Sequence, residues 1–127
     1  MTDWPYHYFT ETELACKGTG ECKMDPAFML RLERLRMVFG KPLIVTSGYR
    51  SPAYNAKVSG TGQDGPHTTG RAVDVSIRGA DALKLIDLAL ECGFTGIGVK
   101  QSGDGRFLHL DDLPAAPGRP RPTIWSY

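Results

Sequence analysis

The stretch GPHTTGRAVDVSI, residues 65–77, changes character at Arg71. Up to Gly70 it is rich in turn-forming residues. From Arg71 it takes on period two, with Val73, Val75 and Ile77 on one face and Ala72, Asp74 and Ser76 on the other. This alternation predicts a strand with one apolar face and a carboxylate on the opposite one. Burying Asp74 costs free energy unless the carboxylate is paired or bound to a cation; the alternative is that its side of an antiparallel sheet meets solvent. His67 precedes it in the loop, and glycine at position 70 lets the backbone turn sharply enough for the two side chains to meet.

Upstream, PLIVTSGYRS (42–51) predicts a short β-branched strand that opens into a loop at Ser47 to Ser51, and PAYNAKV (52–58) a single helical turn. SGTGQDGPHTTG (59–70) holds four of the 15 glycines and predicts a structured surface loop, where functional residues concentrate. Further upstream, Thr10 and Glu13 have capping-box spacing. Asp25 and Pro26 open a helix that carries Phe28, Leu32, Leu35 and Phe39 on one face until Gly40 stops it. Downstream, a second amphipathic helix is expected from about Ala80 to Cys92, with Leu83, Leu85, Ile86 and Leu90 buried and Gly93 closing it. GIGVK (96–100) and RFLHLD (106–111) read as strands joined by the turn QSGDG. The final LPAAPGRPRPTIWSY (113–127) is too rich in proline for an element and is expected to wrap the surface, anchored by Trp125. With no internal repeat and no domain boundary, this order predicts an α+β fold: one domain over residues 1–127, a small antiparallel sheet flanked by helices, and a Pro-rich C-terminal tail from about residue 114.

A chain of 127 residues can bury roughly two-thirds of the surface that it exposes when unfolded. Its 15 basic and 14 acidic residues leave no electrostatic footprint for nucleic acid or an anionic membrane, so the expected partners are small or neutral; a monomer is expected, though no feature of the sequence fixes the oligomeric state. The N-terminus MTDWPYHYFT has neither the basic nor the apolar region of a secretory signal, and no apolar run approaches the ~20 residues of a membrane helix. The protein is therefore expected to be made in the cytoplasm without a signal peptide. Three cysteines are an odd count. Cys16 and Cys22 bracket CKGTGEC as half of a zinc knuckle whose other half is missing, so reduced thiols are expected, with a Cys16–Cys22 bridge as the alternative outside the cell.

Catalytic zinc typically takes three protein ligands drawn from His and carboxylates and keeps a fourth position for water. Of the three histidines, His7 lies in the aromatic cluster WPYHYF and is read as packing. His67 and His109 remain, with Asp74 between them.

The sequence HTTGRAVD, read as H-x-x-G-x-A-x-D, with SGYRS upstream and FLHLD downstream, resembles the zinc D-alanyl-D-alanine carboxypeptidase family, including its phage and prophage endolysin-like members. The similarity runs from about Phe9 to Trp125. It implies the α+β fold shared with the hedgehog amino-terminal domain, a zinc ion held by His67, Asp74 and His109, cleavage of peptidoglycan stem peptides, and a substrate-side role for Arg50. Without a signal peptide, the route to the wall would need a holin, lysis or delivery within a virion. Chemistry supports the role of Arg50 independently: a guanidinium offers a fixed fork of donors for a terminal carboxylate or a developing oxyanion.

The sequence departs from the family at two places. Gly65 stands where relatives often carry Ser. Where many place a catalytic acid or a histidine, three and two residues before the last ligand, this chain has Arg106 and Phe107, neither of which takes a proton at neutral pH. Asp111 shares a strand face with His109 and is the first substitute, as base or as the partner that orients the histidine. Asp104 in the turn is the second, while Asp112 points to the opposite face and Asp64 lies in the glycine-rich loop. The expected function is a zinc peptidase acting on cell-wall peptides as a carboxypeptidase or endopeptidase. Its rival is a module of the same fold that holds zinc and binds the wall, or builds a phage particle, without turnover.

Overall fold

The computed structural model describes residues 4–127, which form an α+β fold with its two long helices packed on one face of a five-stranded sheet. A short helix α1 (Glu11–Leu14) closes through the expected capping box, with Glu13 N–H donating to Thr10 Oγ1 and Thr10 N–H to Glu13 Oε2. Helix α2 (Pro26–Phe39) starts where Asp25 accepts from the Phe28 amide and stops at Gly40; Phe28, Met29, Leu32, Leu35 and Phe39 are its buried face. Strand β1 (Ile44–Ser47) leads into α3 (Pro52–Val58), a full helix where one turn was expected, because Ser51 caps it and Pro52 presets its first turn. The glycine-rich loop contains a 3₁₀ turn (Pro66–Thr69) before β2 (Ala72–Ser76), α4 (Gly79–Glu91), β3 (Gly96–Lys100), β4 (Phe107–Asp111) and β5 (Thr123–Ser126).

The strand order is β1-β2-β4-β3-β5, antiparallel throughout except that β5 runs parallel to β3. The Pro-rich end of the chain is therefore not element-free, as its composition suggested. Pro120 and Pro122 lie just before β5, so neither removes a hydrogen bond from the strand, and the strand occupies an edge, where proline-flanked segments are tolerated.

One sheet face supplies Val45, Val73, Val75, Ile97, Leu108 and Leu110 to the core beneath α2 and α4. Helix α4 does not bury the face that leucine spacing suggested. Its buried stripe is Ala82, Leu85 and Ala89 with Ile86 beside it, while Leu83 and Leu90 are 72% and 56% exposed. Small alanines let the helix sit close to its neighbours, so the bulkier leucines flanking that contact stay outside. Behind the sheet, the buried Asp112 receives Arg71 and Arg31, and Arg71 also pairs with Asp25, which ties the start of α2 to the strands.

The opposite sheet face carries the polar residues of β2 and β4. One row crosses all the strands: Ser47, Asp74, His109, Gly98 and Trp125 are successive register partners. A bulge between Val45 and Ser47 disturbs the ladder at the end of that row.

Candidate metal centre and its cleft

Each member of the centre is placed by a different local device. His67 lies in the 3₁₀ turn that Gly70 ends with φ of 75°, a left-handed conformation that costs glycine nothing. Asp74 and His109 are direct partners across the β2–β4 ladder. His67, Asp74 and His109 each offer a ligand atom, and these atoms lie within 4.8 Å of one another. Asp74 Oδ1 stands 3.3 Å from His67 Nε2 and 3.1 Å from His109 Nδ1. Two donors bound at 2.0–2.2 Å with tetrahedral angles would be roughly 3.4 Å apart, so the spacing fits a shared ion.

The rear nitrogens decide which ring atoms are free. His67 Nδ1 lies 2.8 Å from the Gly48 carbonyl, which can only accept, so Nδ1 carries the proton and Nε2 presents its lone pair inward. His109 Nε2 lies 2.7 Å from Asp111 Oδ2, so its Nδ1 faces the centre. Both histidines are thus fixed in the tautomers that a cation requires. The electrostatics point the same way. Burial pushes the Asp74 carboxyl up, but its position between His109 and His67 outweighs that and holds the group well below the usual carboxylate range. Burial pushes His109 down, and Asp111 and Asp74 override that to raise it. The cluster is built to hold positive charge.

Asp111 is fully buried and saturated. Arg121 Nε and Nη2 donate to its two oxygens at 2.9 and 2.8 Å, His109 takes another position on Oδ2, and the Leu113 amide donates to Oδ1 at 3.3 Å. Burial raises its pKa, but His109 and Arg121 bring it down to about 2. Asp104 is exposed in the β3–β4 turn, where its carbonyl accepts from Lys100 Nζ, and it does not line the cleft. Asp112 faces Arg71 and Arg31 instead, and His7 is exposed near α2, its amide bonded to Glu33. The three cysteines are free thiols, with Cys16 buried beneath Ser51.

Arg50 reaches the centre from the loop after β1. Its Nη2 is 3.8 Å from Asp74 Oδ2, while Nε donates to Ser47 Oγ at 3.2 Å and Nη1 to Asn55 Oδ1 at 3.0 Å. The cleft over the centre, about 320 Å³, is walled by Phe107, Trp125 and Tyr127 on one side and by Val58, Thr61 and Pro66 on the other. It shares Thr61, Pro66 and Trp125 with a second groove of about 680 Å³ between the 59–66 loop and the 116–125 segment.

Gly96 and Gly98 explain how this wall closes. A Cβ on Gly98 would stand 2.7 Å from Trp125 Nε1 and 2.9 Å from His109 Cβ, and one on Gly96 would meet the Asp111 carboxylate and Arg121 Nε. Their missing side chains let Trp125 lie 5.0 Å from the His109 ring and let Arg121 reach Asp111. Sequence reasoning passed over both glycines and Arg121. The alternation G-x-G within GIGVK was the available signal, but it carries meaning only once the register with β4 and β5 is known.

The family model for Peptidase M15 matches residues 7–111. The chain belongs to that family. It is 33% identical over 98 residues to the peptidoglycan L,D-endopeptidase MepK of Escherichia coli K12, covering 72% of this chain and 53% of that relative, and it matches MepK of Shigella flexneri to the same extent. The chain thus spans about half the length of these relatives. Among the described residues, no helix is long and apolar enough to cross a membrane.

Proposed function

We propose that this M15 member is a zinc-dependent peptidase that cuts within the stem peptides of bacterial peptidoglycan, as an endopeptidase acting at the cell wall. The observation that carries this reading is the convergence of His67, Asp74 and His109, with both tautomers fixed, in a cleft that continues into a second groove beyond Trp125. A carboxypeptidase needs a closed end to receive a terminal carboxylate, whereas a cleft that runs on suits a chain extending past the cut. Similarity to peptidoglycan L,D-endopeptidases supports the substrate class.

Zinc, when bound, supplies a water whose pKa is lowered to near 7 and polarises the scissile carbonyl. Arg50 is 17% exposed at its side chain and braced by Ser47 and Asn55, so its guanidinium is aimed at the carbonyl oxygen as negative charge develops there. Asp111 keeps the Nε2 proton on His109, and Arg121 keeps Asp111 ionised. The aromatic wall offers flat faces to the peptide. Among the described residues that line the cleft, Asp74 is the one carboxylate, and it is committed to the two histidines. With no free side-chain carboxylate there, a proton lost by the attacking water would go to solvent, and the leaving amine would take its proton back from solvent.

That same shortage of a free acid favours one rival, a module that holds zinc and binds the wall without turnover. Incubation with purified peptidoglycan, with and without a chelator, followed by mass analysis of soluble fragments separates the two. Internal-bond fragments that vanish with chelator and return with zinc are expected; zinc-loaded protein that binds the wall and releases nothing would establish the rival.

A further inference from the structure

The side chain of Asn55, on α3, is completely buried, and it makes three hydrogen bonds with two parts of the cleft. Its oxygen accepts from Arg50 Nη1 at 3.0 Å; its nitrogen donates to Thr61 Oγ1 at 2.8 Å and to the Gly62 carbonyl at 2.6 Å. The guanidinium can only donate and the carbonyl can only accept, so the amide has one workable orientation, in which both of its donors are used. Arg50 on one side faces Asp74, and Thr61 on the other lines both the cleft and the adjoining groove. Gly65 packs against the same amide, since a Cβ there would lie 2.8 Å from Asn55 Nδ2.

The geometry points to Asn55 as a positioning residue for peptide hydrolysis: one buried amide sets both the aim of Arg50 and the place of the 59–65 loop that walls the cleft. This rests on the reading of Arg50 as the substrate-side cation. Because Asn55 acts through Arg50 and the loop, its removal leaves the metal centre intact while both of those parts drift. A displacement of about 1 Å at such a group costs on the order of a hundredfold in rate.

The test compares Asn55→Ala, Asn55→Asp and Thr61→Val with the double variant Arg50→Ala/Asn55→Ala. Readouts are kinetics on peptidoglycan fragments, zinc content, thermal melting, hydrogen exchange over residues 59–65, and the NMR signals of the Arg50 guanidinium. Asn55→Ala is expected to lose about ten- to a hundredfold in kcat/KM with zinc retained and its Arg50 signals broadened. The double variant should have a kcat no lower than that of Arg50→Ala alone, with only the loop's share of the KM increase added, a non-additivity in kcat that a general loss of stability does not produce. Asn55→Asp keeps the acceptor and loses both donors, so it should hold Arg50 while exchange in the loop rises and KM increases. Thr61→Val alters an exposed side chain and should reproduce the loop effect alone, which keeps the test decisive if Asn55→Ala does not fold. Fully additive losses, or Arg50 signals and loop exchange that ignore every Asn55 change, would overturn the proposal. If the unmodified protein hydrolyses nothing, the functional reading fails, and the guanidinium signals and loop exchange still decide whether Asn55 couples the two parts.

Discussion

Asp111 and Arg121 form a closed, two-pronged ion pair inside the protein, and the same carboxylate holds the rear nitrogen of His109. The segment leading into β5 is therefore joined to the His67, Asp74 and His109 cluster through one fully buried side chain. Breaking such a pair from one side leaves the other charge buried and uncompensated.

The saturation of Asp111 predicts how its neutral isostere behaves. Asp111→Asn should weaken zinc binding by about ten- to a hundredfold, with activity restored by excess zinc, because the residue orients a histidine. Abolished turnover at full zinc occupancy would instead make Asp111 the base. Asp104→Asn, measured alongside by titration and activity assay, should match the unmodified protein, since its side chain lies outside the cleft.

Metal content tests the three-residue cluster directly. Protein prepared without chelator should carry one zinc per chain, because two neutral imidazoles, a carboxylate and a water complete a tetrahedral site. Asp74→Ala and His67→Ala should lose the metal while Asp64→Ala keeps it. Zinc that stays at full stoichiometry in Asp74→Ala, by elemental analysis after dialysis, would rule out this ligand set.

Arg50→Ala should retain zinc and lose about a hundredfold to a thousandfold in turnover, equivalent to about 3–4 kcal/mol of transition-state stabilisation. Steady-state kinetics on a defined fragment separates this from a binding defect. A rate equal to the unmodified protein's would return Arg50 to a structural role.

At Gly98, even a methyl group is too large. Gly98→Ala should displace Trp125 from His109, cost about 1–3 kcal/mol of stability through overpacking, and lower turnover. Gly96→Ala should separate Arg121 from Asp111 and so also weaken zinc binding. Melting curves with and without zinc distinguish the two: the zinc-dependent increment should shrink for Gly96→Ala and persist for Gly98→Ala.

Much of this was legible before any coordinates. The alternation of Val73 and Val75 against Asp74 gives the strand and its polar face, and helix α2 follows from its cap and its apolar spacing. What local patterns could not reveal depends on partners distant in the chain. Strand β5 is hidden because Pro120 and Pro122 dominate its neighbourhood while lying outside it. The buried face of α4 does not follow leucine spacing, because its core stripe is Ala82, Leu85 and Ala89 while Leu83 and Leu90 face outward. The pairing of Asp111 with Arg121, ten positions on, was equally out of reach, since nothing in the local sequence assigns that guanidinium to it.

The row from Asp74 through His109 and Gly98 to Trp125 draws on strands that the ribosome completes at very different times. A growing chain holds both histidines well before it holds the indole that covers one of them. Until residues 121–126 emerge and dock beside β3, Asp111 has no cation and the cleft has no aromatic wall. If the proposed function holds, hydrolytic competence is expected to wait for residues 121–126 and to be missing from a chain cut before them.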